Sequence, residues 1–216
     1  MKKYIAAEII GTFVIVFIGT GAIIFNETSS GTLTHIGVCM LWGIAVALAI
    51  ISAGRIADSH FNPAVTLSLV LAGKFSAKKS IEHICAQIFG GILASISLFL
   101  IFPKNATLGS TLPTASPWVA AMIEIGISFA LMASIALIDI LNVKSKLSAA
   151  LIIGGVVFIL AYWAGPLTGA SMNPARSIAP AIISGHTEYL FLYLLAPIVG
   201  MFLAVPLYRL KRRNSN

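Results

Sequence analysis

Two stretches of sequence decide the fold of this chain: His60-Phe-Asn-Pro-Ala-Val-Thr66 and Ser171-Met-Asn-Pro-Ala-Arg-Ser177. Each contains the tripeptide Asn-Pro-Ala, and the two asparagines are 111 residues apart in a chain of 216. Asparagine is a favoured helix N-cap and proline is favoured at the first helical position, so each tripeptide predicts the start of a helix. The apolar segments that follow, Ala64–Ala72 and Ala175–Ser184, are too short to cross a bilayer, which takes about 20 residues.

The composition around these stretches is typical of an integral membrane protein. Hydrophobic residues make up 58% of the chain and charged residues 10%, and the mean hydropathy is +0.98. A soluble domain averages about 25% charged residues, so the composition argues against a soluble enzyme and against a disordered chain.

Six apolar runs are long enough to span a bilayer. We predict these spans at residues 5–25, 33–53, 82–102, 118–141, 147–165 and 188–208. One short segment follows the second span and the other follows the fifth, so the chain crosses the membrane three times between them. Because three is an odd number of crossings, the second half of the chain has the opposite orientation in the membrane to the first half. The predicted fold is therefore an all-α membrane protein with six transmembrane helices and two half-helices that meet at the midplane. It is a single domain over 1–216, an inverted repeat of two three-helix halves, with pseudo-repeats at 1–110 and 111–216.

The positions of the cations explain the formal net charge of +7. Of the 14 lysines and arginines, 12 lie before the first span, after the last, or in the loops after the second and fourth spans, which all lie on one side of the membrane. Cytoplasmic loops carry the excess of Lys and Arg, so both termini are predicted to be cytoplasmic in a multi-pass protein of the cell membrane. The excess of positive charge therefore reflects the orientation of the chain in the membrane, and no nucleic-acid partner is indicated.

Two half-helices that meet head to head create a site suited to uncharged molecules. A helix N-terminus carries unpaired N–H groups and about half a positive charge, so two such ends repel cations and hydronium. The segments 58–61 and 169–172 precede the asparagines and cannot be fully helical before proline, and their carbonyls are tolerated at membrane depth only where they line a wet cavity. Acceptors in a row with two amide donors suit water and small hydroxylated molecules. The predicted site residues are Asn62, Pro63, Ala64, Asn173, Pro174 and Ala175.

Other functional classes fit the sequence less well. An ion-coupled transporter also uses inverted repeats and broken helices, but it needs ionisable pairs near the midplane, and Arg176 is the one deep cation. No cluster of His, Cys, Asp or Glu has the spacing of an enzyme's nucleophile and base or of a metal site. The sequence therefore predicts a channel that has no enzymatic activity, no metal and no cofactor.

These motifs resemble those of the aquaporin family, the major intrinsic proteins, over essentially the whole chain. The similar segments are Ala7–Phe13, His60–Thr66, Ala86–Gly91, Thr168–Ser177 and Pro197–Gly200. The resemblance implies a homotetramer with one pore in each subunit. It also implies that Glu8 and Glu124 stay inside the bundle and brace the two loops, since a buried carboxylate in a membrane needs a partner.

The resemblance further implies a selectivity filter formed by Trp42, Ala161, Ala170 and Arg176. Strict water channels of the family typically carry Phe and His at the first two of these positions, so Trp and Ala resemble the wider type. The predicted solutes are then water, glycerol and similar small molecules such as urea, ammonia or metalloid acids, and the alternative is a strict water channel. Ser177 and Ala181 differ from the residues of the glycerol facilitators at these positions. The four filter residues, together with Ser177, Ala181 and Tyr193, look most like those of the nodulin-like plant intrinsic proteins. Trp42 could instead be an interfacial belt residue.

Some residues beside the passage keep two interpretations. Gly169 and Ser171 are predicted to line or brace the pore. His60 either lies at the cytoplasmic vestibule, as the resemblance implies, or forms a hydrogen bond that braces the loop. Asp58 either pairs with Arg55 or a nearby lysine, or acts as a gate.

Overall fold

The computed structural model describes residues 2–208, and over that range the chain forms helices and no strand. The helices are α1 Lys3–Thr28, α2 Thr34–Ser52, α3 Pro63–Leu71, α4 Ala77–Ile101, α5 Pro117–Ile140, α6 Lys146–Thr168, α7 Pro174–Ser184 and α8 Leu190–Ala204. Turns of 3-10 helix extend α2 over Ala53–Arg55 and α8 over Val205–Leu207. Within the described residues, six helices are long and apolar enough to cross a membrane, while α3 and α7 are the two short ones. The predicted all-α membrane fold is confirmed. The basic cluster between Arg209 and Arg213 lies outside the described residues.

The observed spans differ from the predicted ones mainly at polar ends. Helix α4 begins at Ala77 rather than at 82, because its first turn carries Lys78 and Lys79; Glu82, in the next turn, pairs with Lys2 at 2.9 Å. Apolar runs mark the hydrocarbon-crossing part of a helix and miss such a turn at the membrane surface.

Helix α6 continues to Thr168 although Pro166 lies inside it. Proline lacks an N–H, so the carbonyl four residues earlier, that of Tyr162, loses its helical donor. The structure supplies a replacement, because Nε2 of His35 in α2 lies 2.9 Å from the Tyr162 oxygen. This contact explains why the helix runs past the predicted end at 165.

Close helix crossings occur at glycines and recur in the two halves. A Cβ added to Gly90 of α4 would lie 2.4 Å from a backbone oxygen of α1, and one added to Gly200 of α8 would lie 2.2 Å from a backbone oxygen of α5. Between the halves, α2 crosses α6 where Gly43 and Gly154 each approach the other's carbonyl oxygen, at 2.6 Å from an added Cβ. Small residues let helices pack closely in a membrane, where lipid provides no hydrophobic driving force. The recurring crossings are those of the inverted repeat.

Candidate functional site

The two half-helices begin with the same capping arrangement. Asn62 caps α3, and its Oδ1 accepts a hydrogen bond from the Ala64 N–H at 2.9 Å. Asn173 caps α7, and its Oδ1 accepts from the Ala175 N–H at 3.0 Å. In both helices proline is the first residue, where its missing N–H costs nothing. The predicted residues that form these two starts are Asn62, Pro63, Ala64, Asn173, Pro174 and Ala175.

The capping amides also tie the two loops to each other. Nδ2 of Asn62 donates to the Met172 carbonyl at 2.8 Å, and Nδ2 of Asn173 donates to the Phe61 carbonyl at 2.9 Å. An amide nitrogen has two protons, so each asparagine keeps one donor for another acceptor. Both asparagines line the inner cavity described below. The structure therefore brings two free amide donors to the point where the helix ends meet.

Glu8 of α1 holds the first loop from inside the bundle. The side chain is fully buried, and Oε1 accepts from the His60 N–H at 2.7 Å, while Oε2 accepts from the Phe61 N–H at 2.8 Å and from Gln87 Nε2 at 3.0 Å. Phe61 has a φ of 56°, a left-handed conformation that takes its N–H out of any helical pattern. The carboxylate accepts hydrogen bonds from the N–H groups of His60 and Phe61, which this conformation leaves without a helical acceptor.

Glu124 of α5 does the same for the second loop. Oε1 accepts from the Ser171 N–H and from Thr168 Oγ1, both at 2.8 Å, and Oε2 accepts from the Met172 N–H at 3.0 Å. Met172 has a φ of 52°, as Phe61 does in the first loop. The residue directly before each capping asparagine thus has the same left-handed conformation, and both loops have the same kind of support.

Two cavities follow the axis of the bundle and meet at a shared ring of side chains. The inner cavity has a volume of about 400 Å³ and contacts Asp58 and His60 at one end, and the outer cavity has a volume of about 280 Å³ and contacts Glu27 and His35. The residues common to both cavities are Trp42, Ala161, Ala170 and Arg176. These are the four positions that the family resemblance implied for the filter.

Arg176 and Trp42 form the bulky side of this ring. The guanidinium carbon of Arg176 lies 4.7 Å from the centre of the Trp42 ring, and Nη1 donates to the Gly109 carbonyl at 3.0 Å. Trp42 is 9% exposed and lines both cavities, so it is not a lipid-facing belt residue. The remaining two members contribute only methyl groups. The ring therefore offers one cation, one aromatic wall and two alanine methyl groups.

The other predicted residues lie along the same path. Gly169 ends α6 with a φ of 77° and lines the outer cavity, and Ser171 lines the inner one. His60 lines the inner cavity, and its Nδ1 lies 3.0 Å from Thr66 Oγ1, a contact that fits the bracing role. Asp58 also lines the inner cavity. No ion pair within residues 2–208 includes Asp58, so the expected pairing with Arg55 is absent over that range.

The loop over 102–116 contains site residues that the sequence analysis missed. Gly109 holds Arg176 through its carbonyl oxygen, and Thr111 Oγ1 donates to Ser177 Oγ at 2.8 Å. Ser177 Oγ lies 2.6 Å from Ser171 Oγ, which continues the chain of hydroxyl groups into the second loop. A backbone carbonyl has no signature in sequence, and the one available signal was a run of small and polar residues in an otherwise apolar chain.

Two cavities that share a ring of side chains inside a six-span bundle, with two half-helices that meet end to end, define a membrane channel. The model of the family "Major intrinsic protein" matches residues 1–208. The chain is 38% identical to "Aquaporin NIP1-1" of Zea mays over 96% of this chain and 74% of that protein. It is 34% identical to "Nodulin-26" of Glycine max over 96% of this chain and 77% of that protein.

The fold is also that of a solved structure. It is similar to the X-ray structure of the aquaglyceroporin from Plasmodium falciparum, with a TM-score of 0.88, 22% identity, and coverage of 95% of this chain and 94% of that one. The chain belongs to the major intrinsic protein family and is a passive channel for water and small uncharged solutes.

Proposed function

We propose that this channel passes glycerol-sized solutes as well as water, with urea, ammonia and metalloid acids as further solutes of the same class. The observation that carries the proposal is the ring where the two cavities meet, at which Ala161 and Ala170 present methyl groups. A histidine at position 161 would fill that side with an imidazole and add a donor. Its absence leaves width for a carbon-bearing solute.

The chemistry of the ring suits a polyol. The guanidinium of Arg176 donates charge-assisted hydrogen bonds to hydroxyl oxygens, while the indole of Trp42 contacts the CH edge of the same molecule. Alanine methyls on the opposite side demand no hydrogen bond from the solute. We assign the filter to Trp42, Ala161, Ala170 and Arg176.

We assign the exclusion of protons and ions to the junction of the half-helices. The N-termini of α3 and α7 both point their positive ends at the asparagine pair, and Arg176 adds a fixed cation a short distance along α7. A cation would have to leave water for a site with a positive field, whereas water and polyols exchange hydrogen bonds with Asn62 and Asn173. The site needs no coupling ion and no cofactor.

For the assembly, we propose a homotetramer in the cell membrane with both termini in the cytoplasm and one pore in each subunit. The lysines at the start of α1 and those around the start of α4 support this orientation by the positive-inside rule; they are Lys2, Lys3, Lys74, Lys78 and Lys79. We also propose 1–110 and 111–216 as the pseudo-repeats, since each contains three spans and one half-helix.

Stopped-flow light scattering on proteoliposomes tests the solute range. We expect the wild type to raise glycerol flux above that of empty liposomes, and Ala161→His to keep water flux while it loses most glycerol flux. Ala161→Ser is the matched control, because serine adds little volume and should retain glycerol. Fast water flux with glycerol flux equal to that of empty liposomes would favour a strict water channel. Flux that depends on a proton or sodium gradient would favour an ion-coupled transporter.

A further inference from the structure

Gly19 lies behind the aromatic wall of the filter. It is a buried residue in the middle of α1, where glycine is less favourable for a helix than alanine. A Cβ added to Gly19 would lie 2.2 Å from Cε3 of Trp42 and 2.4 Å from Cδ2 and Cζ3. The indole therefore rests directly on the backbone of α1, and no side chain fits between them.

The indole separates Gly19 from the passage. Trp42 lines both cavities, whereas Gly19 lines neither. Arg176 also contacts the indole, with its guanidinium carbon 4.7 Å from the ring centre. An indole pushed away from α1 would therefore move toward the passage and toward Arg176.

We infer that Gly19 is a positioning residue that determines which solutes the channel passes, because it lets the indole of Trp42 lie back from the passage. The inference rests on the proposed function, in which Trp42 is a wall of the filter. Gly19 does not contact the solute and acts through Trp42.

The geometry gives the size of the effect. Ordinary van der Waals contact begins at 3.4 Å, and the added Cβ would lie at 2.2 Å, so the indole or the helix must move by about 1.2 Å. An indole has only two side-chain torsions and cannot fold away from the clash. Water is narrower than a polyol, so a passage narrowed on this scale obstructs glycerol before it obstructs water.

The next residue of α1, Thr20, supports Arg176, the other bulky member of the filter. A Cβ added to Gly109 would lie 2.6 Å from Cγ2 of Thr20, so the loop rests on the threonine methyl group. Gly109 is the residue whose carbonyl oxygen accepts from Arg176. Consecutive residues of α1 thus support Trp42 directly and Arg176 through the loop, which makes this part of α1 the back layer of the filter.

The test compares Gly19→Ala with Gly126→Ala in proteoliposomes that carry equal amounts of protein. Gly126 is an exposed residue in α5, and an added Cβ there has nothing within 4 Å, so it controls for the substitution itself. We expect Gly19→Ala to lower the ratio of glycerol to water permeability by about tenfold. Gly126→Ala should keep the wild-type ratio. A wild-type ratio in Gly19→Ala overturns the inference.

A double variant separates narrowing from damage to the fold. Gly19→Ala/Ala161→Gly removes a methyl group from the facing side of the ring and should recover glycerol flux. Failure to recover it would overturn the inference. If Gly19→Ala does not enter liposomes, Gly19→Ala/Trp42→Phe replaces the ring that clashes; recovered incorporation supports the contact, and continued failure refutes it.

The same experiment distinguishes failure of the proposed function. A wild type that passes water but no glycerol contradicts the proposed solute range. Water permeability then becomes the measurement that tests the role of Gly19. Gly19→Ala should then lower water permeability, and Ala161→Gly in the same chain should restore it. Unchanged water permeability in that case counts against the inference.

Discussion

Replacing Glu124 by glutamine removes one of the two carboxylate oxygens that hold the loop before α7. In the wild type, Oε1 accepts from Ser171 N and Thr168 Oγ1, and Oε2 accepts from Met172 N. A glutamine has one acceptor oxygen, which can take over the two bonds of Oε1. Its NH₂ group then faces the Met172 N–H, and two donors meet in a fully buried site.

The expected cost follows from this count of donors. One buried N–H left without an acceptor destabilises a protein by about 1–3 kcal/mol. For a chain of this size that corresponds to a fall in the unfolding temperature of about 2–12 °C. Water permeability should fall as well, because the Met172 carbonyl accepts from Nδ2 of Asn62, and a displaced Met172 disturbs the junction of the half-helices.

Thermal unfolding in detergent and stopped-flow water flux measure the two effects. Glu188→Gln is the matched control, since Glu188 is an exposed carboxylate that lines neither cavity. We expect this control to unfold and conduct as the wild type does. Our account of the brace fails if Glu124→Gln also retains the wild-type unfolding temperature and the wild-type water permeability.

Two further predictions concern hydrogen bonds of residues that are not members of the ring where the cavities meet. Thr111→Val breaks the bond to Ser177 Oγ beside Arg176 and should alter the ratio of glycerol to water flux, while Thr111→Ser should restore it; equal ratios in all three proteins would argue against a role for the loop. His35→Ala leaves the Tyr162 carbonyl without the donor that replaces the proline-deleted bond, so we expect a loss of about 1 kcal/mol in stability, measured by thermal unfolding. His186→Ala, in the short connection before α8, is its control and should unfold at the wild-type temperature.

The parts of the fold that the sequence could predict are those governed by solvation and by helix ends. A lipid-crossing helix must exclude charge for about 20 residues, so the six spans are visible as apolar runs. Proline and asparagine fix a helix start through one dihedral angle and one side-chain bond, so the starts at Pro63 and Pro174 were also predictable. The filter positions came from the resemblance, because nothing in the local sequence brings Trp42 to Arg176.

The parts that could not be predicted depend on backbone carbonyl groups and on close packing between distant segments of the chain. Gly109 supports Arg176 through a carbonyl oxygen that every residue has, and its position depends on how the whole loop folds back over α1. Gly19 is one of 18 glycines, and nothing in the sequence distinguishes it from the others. Its role is recognised from the structure, in which the indole of Trp42 lies against it. The end of α6 was missed because the donor that replaces the proline-deleted bond comes from another helix. Each of these contacts joins distant parts of the chain.

The repeat also separates the frame of the channel from its selectivity. The two loops share their asparagine caps, the left-handed residue before each cap and a buried carboxylate, so both halves contribute to the positive field at the junction. The third residue after each asparagine differs, and it is Val65 in the first half and Arg176 in the second. Valine lines the inner cavity with an apolar surface, whereas arginine reaches the ring where the cavities meet. Under the proposed function, this one asymmetric position adds the solute-binding cation at the ring, while the N-termini of both half-helices supply the positive field that repels cations at the junction.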